Sequence, residues 1–240
     1  MEKESISLNK FISSTGICSR READTWIEAG RVMINGNVAK KGNRVFEKDE
    51  VTLDGKAIKP KTKPIYIKYH KPPGITCTTD KNDKTNIVDQ INIKQRIFPI
   101  GRLDKNSTGL ILLTNNGDIV NQILRKENKH EKEYIVRVNK PITKQFLRRM
   151  SHPIPMLGTK TLPSKIKQIK RDVFKIILTQ GLNRQIRRMC EFCGYKALAL
   201  KRIRIMKIKL NDLKTGEWQY LSAAELNQLM IEIELEMTKK

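Results

Sequence analysis

Gly101-Arg102-Leu103-Asp104-Lys105-Asn106-Ser107-Thr108-Gly109-Leu110-Ile111-Leu112-Leu113-Thr114-Asn115-Asn116-Gly117-Asp118 sets one carboxylate, Asp104, between two cations, Arg102 and Lys105. A polar turn follows, then the apolar run Leu110 to Leu113, then a second turn at Asn115-Asn116-Gly117. Four apolar residues bounded by Gly and Asn read as a short buried strand. Asp104 therefore falls on a loop against a rigid element, a common setting for catalytic groups. A turn aspartate bonding its own backbone satisfies the same pattern. The stretch alone leaves both readings open.

Working outward, the 240 residues fit one or two domains, and 38% hydrophobic content is enough for a core. The net charge of +23 is the outlying property. It points to a polyanionic partner, either nucleic acid or an acidic membrane face. Residues 1–60 carry 11 Lys/Arg against 9 Asp/Glu, whereas residues 160–209 carry 15 against 2, so the positive field belongs mainly to the later part of the chain. No apolar run approaches the ~20 residues of a bilayer span. Met1-Glu2-Lys3-Glu4 offers neither a basic nor an apolar signal region. Cys18, Cys77, Cys190 and Cys193 are widely spread, as expected of free thiols in a reduced cytoplasmic protein. Cys190 and Cys193 have C-x-x-C spacing, but no second pair completes a zinc site, so structural cysteines and no metal are expected.

Near the N-terminus, Leu8-Asn9-Lys10-Phe11-Ile12 has helical spacing and Gly16 stops it. Ser19, with Glu22 three residues on, forms a capping box for a helix ending at Gly30. Val32 to Ile34 enters an Asn35-Gly36 turn, and Val45 and Val51-Thr52-Leu53 supply further short strands. Lys10, Arg20, Arg21 and Arg31 are candidates for phosphate contacts from this region, against the alternative of a solvated helix. Lys59-Pro60-Lys61-Thr62-Lys63-Pro64 reads as a stiff linker.

Further on, Ile65 to Tyr69 alternates as a strand and runs into the sharply constrained His70-Lys71-Pro72-Pro73-Gly74. Residues 80–96 are polar and read as a loop with a short helix. Asp118 can cap the helix Ile119 to Leu124 and is better suited to that than to a second catalytic role. Lys132 to Val138 and Val173 to Leu178 read as strands, and Thr143 to Met150 as a short helix. A helix from Gly181 to Gly194 would set Arg184, Arg187 and Arg188 on one face, opposite Ile186, Met189, Cys190 and Cys193. Leu200 to Ile205 is a basic strand, and residues 222–237 an amphipathic helix capped by Ser222.

These segments together resemble the pseudouridine synthases, in the branch that modifies ribosomal RNA and carries a small N-terminal S4 domain. The central stretch matches that family's Gly-Arg-Leu-Asp motif and its Gly-Leu-Leu-Leu-Leu-Thr-Asn-Asp-Gly continuation, with Ser107 for a Thr and Asn116 for an Asp. Arg184-Gln185-Ile186-Arg187-Arg188-Met189 and Leu200-x-Arg202 match two further motifs, and His70-Lys71-Pro72-Pro73-Gly74 resembles Asn-Lys-Pro-x-Gly with His70 for the Asn. Ser19-Arg20-Arg21-Glu22-Ala23 and Gly30 to Gly36 resemble an S4 RNA-binding domain. Phe98 to Asp104, His130 to Tyr134 and Gly181 to Gln185 favour the members acting on the large ribosomal subunit over those acting on the small one.

The resemblance implies an α+β architecture. An S4 domain over 5–58 and a linker over 59–64 would lead into a catalytic domain over 65–240 with a mixed, mainly antiparallel sheet. The implied reaction detaches uracil at N1, turns it and rejoins it through C5, so no cofactor is required. Asp104 would attack the sugar or take a proton from it. A glycosidase would need a second carboxylate to activate water, and Asp118 is poorly suited. A carboxylate shielded from water needs a neighbouring cation to keep its charge, and Arg187 is expected to pair with Asp104. Tyr134 would stack on the extruded base, Arg102 would fill the vacated space, and Leu200 would close the pocket wall. Arg184, Arg188, Arg202 and Lys71 are expected to contact RNA, with Lys10, Arg20 and Arg21 in the S4 domain. A cytoplasmic monomer acting on ribosomal RNA is expected, with small-subunit or transfer RNA as alternative substrates. A non-catalytic ribosome-assembly factor is a rival that retention of Asp104, Tyr134 and Arg187 disfavours. A DNA-binding regulator is another, and the lack of a helix-turn-helix pattern disfavours it.

Overall fold

The computed structural model describes residues 5–60, 63–124 and 129–237. They form two compact units, one running through Ile65 with residues 94–96 and 115–117, the other holding the remainder. Lys61 and Thr62 of the expected linker, and residues 238–240 of the expected catalytic domain, lie outside the described residues.

The first unit begins with β1 (Ser5–Ser7), α1 (Leu8–Ser14) and α2 (Arg20–Glu28). The capping box starts α2: the Ser19 hydroxyl accepts from the Glu22 amide at 3.1 Å, and the Ser19 amide donates to the Glu22 carboxylate at 3.3 Å. β2 (Val32–Ile34), β3 (Asn37–Val38), β4 (Arg44–Phe46), β5 (Val51–Leu53) and β6 (Lys56–Ala57) follow. Four of them pair in the order β3-β2-β5-β6, while β4 pairs with β1. Asn35 and Gly36 both take positive φ, 50° and 79°, as a two-residue hairpin turn requires. Leu8, Ile12, Ala23, Ile27, Val32, Val45 and Val51 close the core between helices and strands. Arg31 departs from expectation. Its guanidinium forks onto Asp54, with Nε–Oδ1 at 2.9 Å, and lies over the Trp26 ring at 5.2 Å, so it serves the fold.

The second unit comprises β7 (Tyr66–Lys71), β8 (Phe98–Ile100), β9 (Thr108–Thr114), α3 (Asp118–Leu124), β10 (Lys132–Val138), α4 (Lys144–Ser151), β11 (Pro155–Met156), β12 (Thr159–Lys160), β13 (Lys165–Lys170), β14 (Val173–Leu178), α5 (Gln185–Phe192), β15 (Ala197–Ile205), β16 (Ile208–Lys209), β17 (Trp218–Tyr220) and α6 (Ala223–Met237). Its sheet runs β13-β14-β10-β15-β9-β7-β17, with β16 added to β15 and β8 to β9. The pairings are antiparallel except β9 with β15. The architecture is therefore α+β with a mixed, mainly antiparallel sheet.

The parallel junction has a local cause in the sequence. Gly109 sits opposite Arg202 with φ +109°, and a Cβ there would lie 2.2 Å from the Arg202 carbonyl oxygen. Glycine alone lets the two strands approach so closely.

On one side of the sheet, α3 and α6 bury Ile119, Ile123, Leu229 and Ile233 against Leu110 and Leu112. A second capping box, Ser222 with Glu225, starts α6, and Glu225 also meets the buried Lys68 ammonium at 2.6 Å. Phe146 of α4 packs on Phe174 and Tyr195, with ring centres 5.4 and 4.2 Å away. Two expectations fail here. Residues 80–96 form turns without a helix. α5 begins at Gln185, because Arg184 takes a left-handed conformation (φ 50°) that no α-helix continues.

Candidate active site

The second unit carries a cleft of about 1170 Å³. Its floor is one face of the sheet. Tyr134 on β10 stands opposite Ile176 on β14 and Arg202 on β15. Residues two apart on a strand share a face, so Lys132 and Leu200 join Tyr134 and Arg202 along the floor. The walls come from residues 76–83, from the loop Pro99 to Ser107, and from the segment leading into α5.

Asp104 projects from that loop. The loop is tied at several points. The Ser107 amide donates to the Asp104 carbonyl at 2.9 Å, and the Leu103 amide to the Cys77 sulfur at 3.3 Å. The Lys105 carbonyl accepts from the Gly74 amide at 2.8 Å and from the Lys71 ammonium at 3.0 Å. Arg187 reaches the same loop from α5. Its Nε lies 3.4 Å from Asp104 Oδ2, its Nη2 donates to the Ser107 hydroxyl at 3.2 Å, and its Nη1 to the Ala197 carbonyl at 3.0 Å. Side-chain exposure is 12% for Arg187 and 31% for Asp104. The carboxylate is thus partly open to water, contrary to the dry setting expected of it.

Arg102 and Lys105 are exposed along the same loop, and Arg184 is exposed at the start of α5. Leu200 lines the floor and is buried. Asp118 is the exposed first residue of α3 and does not face the cleft. Arg20 and Arg21 are exposed in the first turn of α2, and Lys10 is half-buried on α1.

Three residues expected to contact RNA have partners within the protein. Lys71 is wholly buried and donates to the Pro72 and Lys105 carbonyls, so it braces the Asp104 loop from behind. Burial lowers its pKa. Arg188 folds back onto the carbonyl and side chain of Asn183 and does not line the cleft, so the three-arginine stripe is divided. Arg202 is 3% exposed; its Nε donates to the Leu110 carbonyl at 2.7 Å, which ties it into the sheet at the floor of the cleft.

Three residues were missed in the sequence. Ser107 was read there only as a replacement for Thr, yet its hydroxyl receives Arg187. Cys77 holds the amide before Asp104, and burial pushes its thiol pKa up, as fits a structural role. Lys132, read as strand, faces the cleft. Cys190 is likewise buried, its thiol pushed up to about 12 mainly by burial. Among the described residues, no group of three or more His, Cys, Asp or Glu could hold a metal ion, and no helix is long and apolar enough to cross a membrane.

The family model described as RNA pseudouridylate synthase matches residues 65–192, and the S4 domain model matches residues 7–51. A dual-specificity RNA pseudouridine synthase of Salmonella typhi, RluF, is 52% identical over 232 residues, which cover 96% of this chain and 80% of that one. The ribosomal large subunit pseudouridine synthase B of Bacillus subtilis (strain 168) is 32% identical over 231 residues, covering 92% of this chain and 94% of its own. A crystal structure of a pseudouridylate synthase aligns with TM-score 0.69 at 26% identity, over 93% of this chain and 99% of that one.

Proposed function

Because this chain belongs to the RNA pseudouridylate synthase family, we propose that it isomerises uridine to pseudouridine in large-subunit ribosomal RNA, with Asp104 as the reacting carboxylate. The observation that carries this reading is the meeting of Asp104, Arg187 and Tyr134 in one cleft from three separate parts of the chain. The large-subunit substrate is supported by the name of the Bacillus subtilis relative. The name of the Salmonella relative records a second specificity, which keeps a further RNA open as substrate.

A uridine stacked in RNA cannot reach Asp104 at the loop, so the base leaves its stack and enters the cleft. Tyr134 offers its ring to the base, and the exposed Arg102 occupies the gap left in the RNA. Asp104 then bonds C1′ or removes a proton from the sugar as the C1′–N1 bond breaks and its electron pair passes to the base. Rotation brings C5 to C1′. As the new C1′–C5 bond forms, the Asp104–C1′ bond breaks and its electron pair returns to the carboxylate, or, on the proton route, Asp104 gives the sugar its proton back; the C5 proton departs and N1 is protonated, so no atom is gained or lost. Arg187 holds Asp104 aimed at the sugar through the rigid fork it shares with Ser107 and Ala197.

Phosphates are met by exposed cations. Arg184 and Lys105 line the cleft, and Arg20 and Arg21 stand at the N-terminus of α2, where the helix dipole also favours an anion. The deciding experiment maps pseudouridine in large-subunit ribosomal RNA from cells with and without the gene. Loss of a defined site, restored by the wild-type chain but not by Asp104→Asn, is the expected result. An unchanged map in the deletion strain, with RNA binding intact, would leave a non-catalytic RNA-binding protein.

A further inference from the structure

We propose that Lys132 is a further catalytic residue, its ammonium donating to a carbonyl oxygen of the extruded uracil and stabilising the charge that the base carries once the C1′–N1 bond is broken. This rests on the reading of the cleft as the site of uridine isomerisation.

Placement is the first ground. Lys132 lies two residues before Tyr134 on β10, so both side chains project from one face. Its neighbours across the sheet, Leu178 on β14 and Ile205 on β15, line the cleft with it. A base stacked on Tyr134 would present an edge along this strand.

The second ground is an excess of positive charge. The Lys132 ammonium donates to the His130 carbonyl at 3.2 Å, and among the described residues no carboxylate lies within ion-pair distance of it. The flanking acids are spent elsewhere: Glu131 on Arg204 and Lys165, Glu133 on Arg204 and Lys175. Beside Lys132 lies the Arg202 guanidinium, whose Nη2 is buried with no hydrogen-bond partner. Two uncompensated cations beneath one cleft are a cost to the fold. That cost is recovered when negative charge arrives. Burial, and then Arg202, lower the Lys132 pKa to about 8, so the ammonium is still present at neutral pH. The other charges lining the cleft are Arg102, Asp104 and Lys105 on the loop, Asp80 and Asp83 on the wall, and Arg184 and Arg187 at α5.

The chemistry identifies the arriving charge. Heterolysis at N1 leaves the electron pair on the base, spread over its two carbonyl oxygens. A fixed ammonium against one of them interacts weakly with neutral uracil and strongly with the anion, which is how a preorganised donor lowers a barrier. When C5 bonds C1′ the charge is withdrawn. Lys132 ends the cycle with the proton it began with.

The test uses the full chain and an unmodified transcript of large-subunit ribosomal RNA. Pseudouridine formation and RNA affinity are measured for wild type, Lys132→Met, Lys132→Arg and Asp104→Asn. Lys132→Met is expected to lose about 100-fold in single-turnover rate, with RNA affinity within about threefold of wild type. Wild-type kcat/KM is expected to fall above pH about 8, while Lys132→Arg, whose cation does not titrate there, stays flat. Should Lys132→Met lower only affinity, or should the alkaline fall persist in Lys132→Arg, the proposal is overturned. The arginine variant carries the test if the methionine variant does not fold. A wild-type chain that forms no pseudouridine, or an Asp104→Asn variant with full activity, removes the underlying reading and this inference together. An inactive Asp104→Asn beside a fully active Lys132→Met removes only this inference.

Discussion

Arg187 and Asp104, 83 residues apart in the chain, meet through Nε and Oδ2 at 3.4 Å, while the two remaining guanidinium nitrogens are held by Ser107 and Ala197. The arginine is therefore fixed before the carboxylate is considered, and the carboxylate is aimed by it.

Replacing Asp104 by Asn keeps the size and most hydrogen bonds of the side chain but removes its nucleophilic charge. Pseudouridine formation is expected to fall by at least ~1,000-fold, with the thermal midpoint nearly unchanged. A single-turnover assay on transcript RNA, alongside a melting curve, checks both halves.

Arg187→Lys keeps the charge and loses the fork. One ammonium cannot serve Asp104, Ser107 and Ala197 together. Turnover is expected to drop about 100-fold, because a small misplacement of a reacting group costs that much. RNA affinity should hardly move. Wild-type turnover in this variant would mean that charge alone suffices and geometry does not matter.

Gly109→Ala places a methyl group 2.2 Å from the Arg202 carbonyl oxygen, at a φ that L-residues rarely adopt. Backbone meets backbone there, so no side chain can yield. A loss of at least ~2 kcal/mol is expected in denaturant unfolding, together with lost activity as the junction opens. An alanine variant of wild-type stability would contradict the close approach of β9 and β15.

A cluster on the opposite side of β10 contributes to acid stability. The Arg204 hydrogen bond, then Lys165, lower the Glu131 pKa. Burial pushes Glu133 up, but Arg204 and Lys175 outweigh it and leave its pKa lowered. Carboxyls lowered in the folded state contribute stability above their unfolded pKa and lose it as pH falls through the folded value. The melting temperature should therefore decline below pH ~4. Arg204→Met should cost about 2 kcal/mol at pH 7 by removing the cation that Glu131 and Glu133 share, leaving each with a single lysine, and it should flatten the acid decline. Melting curves from pH 3 to 7 on both proteins test this.

Much of this arrangement could be read from residues alone, and the failures share a cause. β10 and β14 were located residue by residue, because their own side-chain patterns define them, strictly alternating in burial along β14 and in part along β10. The Ser19–Glu22 capping box is a local hydrogen-bond device and was legible for the same reason. β13, with Lys-Ile-Lys-Gln-Ile-Lys, went unrecognised: it is an edge strand, largely exposed, and its lysines deter further pairing without marking a core. Lys71 was misread because its acceptor at Lys105 is 34 residues distant, and nothing in Tyr69-His70-Lys71-Pro72 announces that an ammonium will be buried. The arginine stripe was misread because a helical wheel assumes helix, and Arg184 is outside it. Lys132 looks like an ordinary basic strand residue until the sheet sets it on the cleft face with Tyr134.

The junction of β9 with β15 has a kinetic corollary. Asp104 precedes β9, whereas Tyr134 and Leu200 lie on the strands across the junction and Arg187 on the helix α5 that leads into β15, and the clasp from Arg202 to the Leu110 carbonyl spans 92 residues. Long loops close slowly, and parallel pairing comes late. A nascent chain still short of residue 202 could hold a formed S4 domain and even grip RNA, yet it would lack the geometry to alter a nucleotide. Turnover in this protein therefore clocks the last stage of its own maturation.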